Sequence, residues 1–238
     1  METKKPNKIL TFSYDDGVHQ DKRLIELFDR YGMKATFNLN SELLGKPHSL
    51  EREGKRIAHD KVAPADVRHV YAGHEVAAHT LTHPGLPYLP DEEVIRQVEQ
   101  DRLNLSELCG YEVVGFAYPG GGQNYDSRVS RLIRENTGVR YCRTIVSSHS
   151  FLPQDDLYEF RPSVYHHGEW DKLFALGEEF LSLKTEERRV FYVWCHSYEF
   201  DIHDTWDRFE EFLRMMSGRA DIRYATNKEA LLELSFRK

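Results

Sequence analysis

Ile9-Leu10-Thr11-Phe12-Ser13-Tyr14-Asp15-Asp16-Gly17 runs from an apolar, β-prone stretch straight into two carboxylates and a glycine. Branched and aromatic side chains over residues 9–14 predict a strand, and Asp-Gly after it is a turn signal. Residues 21–31 then carry Leu24, Leu27 and Phe28 at helical spacing, and residues 34–39, centred on Ala35-Thr36-Phe37, read as the next strand. A strand, a helix and a strand in quick succession form a βαβ unit, whose strands lie parallel.

The alternation continues outward from this unit. Residues 45–69 are rich in charge and histidine, with a short helix expected after Pro64. Residues 75–78 end a strand. Residues 91–109 form a helix that Asp91 can cap, with Val94, Val98, Leu105 and Leu108 as its apolar stripe. Further strands are expected at 113–118, 140–146, 190–195 and 222–225, and helices at 127–136, 170–183, 204–216 and 228–234. No repeat and no Gly/Ser/Pro-rich linker interrupts the pattern, so residues 1–238 read as a single domain. About seven βα units in 238 residues suit a closed barrel of the β/α type better than an open sheet. In such barrels the reactive side chains sit at the C-terminal ends of the strands.

Composition excludes some classes of function. The formal net charge is -7 and no Lys/Arg cluster occurs, so an electrostatic grip on nucleic acid is not expected. No apolar run approaches the ~18 residues of a membrane span. Met1-Glu2-Thr3-Lys4-Lys5-Pro6 lacks the apolar region of a signal peptide, so the chain as written reads as cytoplasmic, with secretion open if it is a trimmed form. Cys109, Cys142 and Cys195 are odd in number and widely spaced, which fits buried free thiols rather than disulfides or a thiolate metal site. With 13 Tyr, 13 Phe and 3 Trp, the aromatic load suits a cleft that stacks on sugar rings, or a core packed with rings.

The polar clusters fall at the strand ends. Asp15-Asp16-Gly17 ends the first strand, His79-Thr80-Leu81-Thr82-His83 follows residues 75–78, Tyr118-Pro119-Gly120-Gly121-Gly122 follows the next, and His196 ends the strand over 190–195. All four would converge on one mouth. Adjacent residues of an extended chain point opposite ways, so one carboxylate of the Asp pair can bind a cation while the other accepts a proton. The pair can equally cap the following helix. The HxxxH spacing of His79 and His83 puts two imidazoles on one side of a helical turn, able to share a metal, although surface positions give the same spacing. His74-Glu75 opens like the zincin HExxH motif, but Ala78 stands in the fifth position and the motif fails. Cys195 and His196 are strand neighbours and cannot form their own dyad; Cys195 is expected on the barrel wall and His196 at the mouth.

Taken in order, Thr11 to Gly17, Ala35-Thr36-Phe37, Gly73-His74-Glu75-Val76 and His79-Thr80-Leu81-Thr82-His83-Pro84 resemble the polysaccharide deacetylase family of carbohydrate esterases, the NodB homology domain. That family's first motif ends in Asp-Asp-Gly and its second is His-Ser/Thr-x-x-His. The resemblance runs from about Lys8 to beyond His196. It implies a distorted (β/α)7 barrel, Asp15 as general base, Asp16, His79 and His83 as ligands of a divalent metal, commonly zinc, and His196 as general acid. The implied partner is a carbohydrate substrate, an N-acetylated sugar or glycan. Tyr118, Gly120 and Trp194 are expected at the substrate, with the Gly120 N–H as a donor to the oxyanion.

Two departures stand out. The family's third motif reads Arg-x-Pro-aromatic, whereas Phe116-Ala117-Tyr118-Pro119-Gly120 has Ala117 where the arginine belongs; Arg143 and Arg161 are candidate substitutes for orienting Asp15. The fourth motif, Asp-x-x-Asp-Trp-like, has no clear match, and Phe160-Arg161-Pro162 with His166-His167 is the segment that would stand in its place. Two other functions compete with deacetylation: amidase action on a small cyclic or linear amide, and a catalytically silent carbohydrate-binding barrel.

Overall fold

Strand β1 (Lys8–Asp15) is buried at every position, as a strand must be when it has neighbours on both edges and packed layers on both faces. In the computed structural model, which describes residues 6–232, it is followed by α1 (Asp21–Arg30), β2 (Ala35–Leu39), the hairpin β3 (Ser49–Arg52) and β4 (Lys55–Ala58), α2 (Val67–Val70) and β5 (Glu75–Ala78). Next come α3 (Asp91–Cys109), β6 (Gly115–Ala117), α4 (Ser127–Asn136), β7 (Tyr141–Arg143), β8 (Val164–Tyr165) and α5 (Trp170–Ser182). The described chain closes with β9 (Arg189–His196), α6 (Glu199–His203), α7 (Trp206–Met216), β10 (Ile222–Tyr224) and α8 (Asn227–Leu232).

β1 pairs in parallel with β9 from Lys8↔Arg189 to Asp15↔His196. Its other edge is shared, with β10 on Lys8 to Leu10 and β2 on Phe12 to Asp15. The sheet continues through β5 and β6 to β7, all parallel. Beyond β7, Phe160 bridges Arg143 and, a few residues on, β8 pairs with β9 at Val164↔Val193 and Tyr165↔Trp194. The Thr144 N–H donates to the Phe160 carbonyl at 2.9 Å and the Phe160 N–H to the Cys142 carbonyl at 3.1 Å. Residues 160–165 therefore link the two free edges of the curled sheet, and β1, β2, β5, β6, β7, β8 and β9 stand as the staves of a distorted (β/α)7 barrel.

Most of the aromatic load fills this core: Phe12, Tyr14, Phe28, Phe37 and Phe209 are buried between β1, β2, α1 and α7, with Phe12 and Phe28 ring centroids 4.9 Å apart. All three cysteines are buried free thiols, and no described helix is long and apolar enough to cross a membrane.

Several expected boundaries shift for identifiable reasons. β6 covers only 115–117 of the expected 113–118, with Pro119, which cannot donate to a ladder, just beyond its C-terminal end, and β7 ends at Arg143, after which the chain bonds to Phe160 and departs. The helix expected at 204–216 starts later, because Asp204 is left-handed (φ 53) and separates α6 from α7. Asp91 does not cap α3: the cap position is Pro90, and the Asp91 carboxylate instead accepts from Arg128 Nη1 at 2.5 Å. The β3–β4 hairpin and the two-residue β8 were not anticipated. Of the helix expected at 228–234, positions 233 and 234 lie outside the described residues.

Candidate active site

The mouth of the barrel is shaped by backbone turns that few residues tolerate. Asp16 has φ 85 and Gly17 φ 63, and a Cβ added to Gly17 would lie 2.7 Å from Leu39 Cδ2. Asp-Gly is thus the sequence that lets β1 turn away while leaving Asp16 at the rim. His79 and His83 are not on a helical turn, contrary to the spacing argument. The segment is a bent loop with Thr80 at φ 71 and His83 at φ 62. Left-handed backbone at a β-branched residue costs of order 1–3 kcal/mol and persists only where neighbours over-determine it. Here they do. Asn40 Nδ2 donates to the His79 and Thr80 carbonyls at 2.6 and 3.0 Å, the His79 N–H donates to Asp101 Oδ2 at 2.9 Å, and the Leu81 N–H to the Gln97 carbonyl at 3.0 Å. Asp101 is buried on α3, and burial pushes its pKa up to about 7 against the hydrogen bonds it accepts.

The loop brings one donor atom from each of Asp16, His79 and His83 within 4.8 Å of the others, the one such group among the described residues. The His79 Nδ1–H donates to the Ala117 carbonyl at 2.8 Å, which leaves the lone pair on Nε2. That Nε2 is buried and has no hydrogen-bond partner. Burial lowers the His79 pKa to about 4, so the ring is neutral, the form a metal requires. His83 Nε2 lies 3.8 Å from Asp16 Oδ1, with the His83 side chain 34% exposed. Burial alone would raise the Asp16 pKa, but His59 at 3.3 Å from Oδ2 and Lys61 at 3.6 Å from Oδ1 hold it well below the ordinary carboxylate value. Lys61 Nζ also donates to the Asp16 main-chain carbonyl at 2.7 Å. Two imidazoles, the one at His79 neutral, an ionised carboxylate and one side open to solvent fit a divalent cation of the catalytic kind.

Asp15 faces the interior and is 2% exposed. Arg143 Nη2 donates to its Oδ1 at 2.7 Å and to its Oδ2 at 2.5 Å, and Asn38 Nδ2 donates to Oδ1 at 2.7 Å. Burial works to raise the Asp15 pKa; Arg143, with His79 and His196 behind it, overcomes this and lowers it. His196 Nε2 and His79 Nε2 each stand 3.9 Å from Asp15 Oδ2. On its other side, His196 Nδ1 is 3.3 Å from Glu199 Oε2, an ion-pair contact without the alignment of a hydrogen bond. Burial pulls the His196 pKa down, yet Glu199 outweighs it and the value rises to about 9. Glu199 also accepts from the Tyr165 hydroxyl and from Cys195 Sγ, the latter at 2.8 Å. Cys195 is fully buried in the wall, while His196 lines the cavity at the mouth.

Arg143, Gly120 and Trp194 are brought to this site; Arg161 and Tyr118 are not. Arg161 is exposed, with its N–H on Gln154 Oε1. The Tyr118 ring is buried against Tyr125, and its hydroxyl donates to the Tyr158 carbonyl at 2.9 Å. The Arg143 guanidinium lies 4.2 Å from the Trp194 ring. Asp15, Asp16, His83, Gly120, Tyr165, Trp194, His196 and Tyr198 line one cavity of about 420 Å³. His59, Lys61, Asn38 and Glu199 were missed from the sequence. Only the density of histidine and charge over 45–69, and a glutamate three residues after His196, hinted at them.

Residues 2–142 match the polysaccharide deacetylase family, a span that includes Asp15, Asp16, His79 and His83 and stops short of Arg143 and His196. No curated protein matches the chain. Among solved structures it is similar to a family 4 acetyl xylan esterase from Clostridium thermocellum determined with a cobalt ion, at 14% identity and TM-score 0.61 over 95% of this chain and 91% of that one. It is also similar to the Xyl-CE4 domain of a multidomain xylanase from the hindgut metagenome of Trinervitermes trinervoides, at 15% identity and TM-score 0.59 over 97% and 92% of the two chains. A third neighbour is a mutant of a CE4 family pseudoenzyme with restored enzymatic activity, at 16% identity and TM-score 0.56 over 95% of this chain and 68% of that one. At such identities these neighbours speak to the fold. The family match covers more than half of the 238 residues on its own, and the chain belongs to the polysaccharide deacetylase family.

Proposed function

We propose that this protein is a metal-dependent hydrolase that removes an acetyl group from an N-acetylated amino sugar or glycan. Asp16, His79 and His83 hold the metal, Asp15 is the general base and His196 the general acid. The observation that carries this reading is the buried, partnerless Nε2 of His79, which shares a 4.8 Å neighbourhood with Asp16 and His83 beside two further titratable groups. A divalent cation bound there, zinc first among candidates for two imidazoles and a carboxylate, supplies Lewis acidity that acidifies water and polarises a carbonyl.

The protein's own groups do the rest. Oδ1 of Asp15 accepts from both Asn38 and Arg143 whereas Oδ2 accepts from Arg143 alone, so Oδ2 keeps the lone pair that takes a proton from the attacking water. Its lowered pKa keeps it ionised at neutral pH. His196, held cationic by Glu199, donates from Nε2 to the departing amine. An amide requires that proton, and a placed acid or base is typically worth ~10²–10⁴-fold. The Gly120 N–H, on a left-handed residue at the cavity wall, is the donor offered to the oxyanion. Trp194, Tyr165 and Tyr198 provide ring faces for a sugar.

A second reading, hydrolysis of an O-acetyl ester, is favoured by neighbours described as acetyl xylan esterase and as a domain of a xylanase. The test is acetate release from N-acetylated oligosaccharides, acetylated xylan and small linear and cyclic amides, with and without chelator. Chelator-sensitive acetate from the N-acetylated sugars is expected. Chelator-sensitive release from xylan alone moves the reading to the ester, turnover of small amides alone moves it to an amidase, and no turnover in a zinc-loaded protein leaves a silent carbohydrate-binding barrel.

A further inference from the structure

A second cavity, also of about 420 Å³, opens off the first beneath the β3–β4 hairpin. The two share Asp16, Arg52, His83 and Tyr198, so a ligand seated over the candidate metal site extends directly into it. Its lining combines Leu43, Pro47 and Leu50 with Lys46, His48, Arg52, His59 and Lys61. Asp16 is the one carboxylate that lines it. In a chain with net charge -7 this is a local reversal of sign.

The charges in the two cavities balance except at the hairpin. Asp15 is matched by Arg143, Asp16 by Lys61, and His196 by Glu199. Lys46 and Arg52 have no carboxylate partner among the described residues; Arg52 Nη1 makes one long bond, 3.4 Å, to the carbonyl of its own neighbour Glu51. The other hairpin cations are committed elsewhere. Lys55 Nζ donates to the Ile202 carbonyl at 2.6 Å and Arg56 Nε to Ser49 Oγ at 3.2 Å, and Arg56 lines a separate hollow with Ala58 and Asp60. Two free cations, one of them a guanidinium fork, on the rim of a half-apolar pocket next to the reacting groups form a receptor for an anion carried by the substrate.

We propose that the hairpin cavity is a specificity subsite for an anionic substituent, with Arg52 and Lys46 selecting an acetylated saccharide that carries a carboxylate or a phosphate on the residue beside the acetylated one. This rests on the hydrolase reading above for its catalytic arm alone. A substrate charge at the cavity rim gains from field focusing by the low-dielectric walls, and the gain falls as salt rises.

The test uses three matched N-acetylated disaccharides, with a neutral, a carboxylated or a phosphorylated neighbouring sugar. For each, kcat/KM is measured at low and high salt with the metal-loaded protein. Binding of the three deacetylated products is measured separately by calorimetry with the same protein. Arg52→Glu is compared with Arg56→Glu, which makes the same charge change on the same hairpin but away from the cavity. The wild type is expected to prefer one or both anionic compounds about tenfold in turnover and in binding, less so at high salt. Arg52→Glu should erase or invert the preference, while Arg56→Glu keeps it; which anion is preferred separates carboxylate from phosphate. Equal handling of neutral and anionic compounds, or equal effects of the two variants, overturns the subsite. Absence of all turnover with anion-selective product binding retained refutes the hydrolase reading and leaves the subsite standing.

Discussion

Arg143, at the end of β7, reaches across the barrel mouth to place Nη2 within 2.7 and 2.5 Å of the two carboxylate oxygens of Asp15, at the end of β1. Both side chains are almost fully buried, at 1% and 3% exposure. Ala117 stands where the third family motif would carry its arginine, and the guanidinium beside Asp15 comes from the next strand. Removing one partner of a buried pair leaves an uncompensated charge and costs roughly 3–5 kcal/mol. Arg143→Ala should therefore lose stability of that order in urea unfolding and lower kcat by about 10²-fold or more. Arg143→Lys, which restores charge without the fork, should recover part of the stability and less of the rate. Wild-type kcat in a folded Arg143→Ala protein would remove Arg143 from any role in orienting Asp15.

Metal affinity and fold stability should separate at His83. Its side chain is one-third exposed, so His83→Ala removes little packing. Zinc affinity measured by competition with a chromogenic chelator is expected to fall by 10²-fold or more, while the midpoint of unfolding of the metal-free protein moves little. An unchanged affinity would take His83 out of the ligand set. His79→Ala is the less clean experiment, because that ring is buried and anchors on Ala117.

The His196–Glu199 contact has a pH signature whose sign follows from linkage. His196 has a folded pKa of about 9, above the ordinary ~6.5 of the unfolded chain. The folded state thus holds this proton more tightly, and the stability it contributes is fully present below about pH 6.5 and is lost as pH rises through 9. Glu199→Gln leaves burial, which lowers the value, with less opposing it. In chelator-treated protein the His196 ring titration, followed by NMR, should move down by more than one pH unit in this variant, and the alkaline loss of stability should be smaller and complete at a correspondingly lower pH. In the loaded enzyme the alkaline limb of kcat/KM should shift in the same direction. A His196 titration unmoved by the substitution would show that Glu199 does not set its charge.

Base and acid can be told apart by the leaving group. Asp15→Asn is nearly isosteric but cannot accept the proton of water, whereas His196→Ala keeps the base and removes the proton for the amine. An activated ester departs without help. The His196 variant should lose ~10²-fold or more on an acetamide and far less on the ester, while the Asp15 variant loses on both. Metal content measured alongside should match the wild type in each. Equal losses of the His196 variant on the two substrates would reassign it to binding or structure.

How much of this was legible in the sequence depends on whether the deciding contacts are local. The strands, most helices and the clustering of Asp15, Asp16, His79, His83 and His196 at one end follow from periodicity, turn chemistry and barrel geometry. The loop conformation at His79–Thr80–His83 does not, because it is imposed by Asn40, Gln97 and Asp101 from other elements. Arg143 and Arg161 were equivalent candidates in one dimension. They separate because Arg143 lies within the ladder and points inward, while Arg161 sits just past the Phe160 bridge and is exposed. Tyr118 failed for a related reason: as the residue after β6, its ring turned to the wall and stacked on Tyr125. His59 and Lys61 reach Asp16 only because the β3–β4 hairpin folds over the mouth, and nothing local in residues 45–69 announces that fold.

The two-residue strand β8 has a consequence for how this barrel breathes. Between β1 and β9 the ladder runs over eight paired positions, but between β7 and β9 the lacing is a bridge at Phe160 and the short pairing of Val164 and Tyr165. Arg143 vaults that weak seam: rooted on β7, it stacks its guanidinium on Trp194 of β9 and grips Asp15 of β1. A side chain thereby clasps the ring across one of its short seams, and the residue that grips the Asp15 carboxylate is also a fastening that holds the barrel shut. Amide hydrogens of residues 160–165 should be among the first in the ring to exchange, and loss of the Arg143 clasp should speed their exchange well before it is felt in β1, β2 or β9.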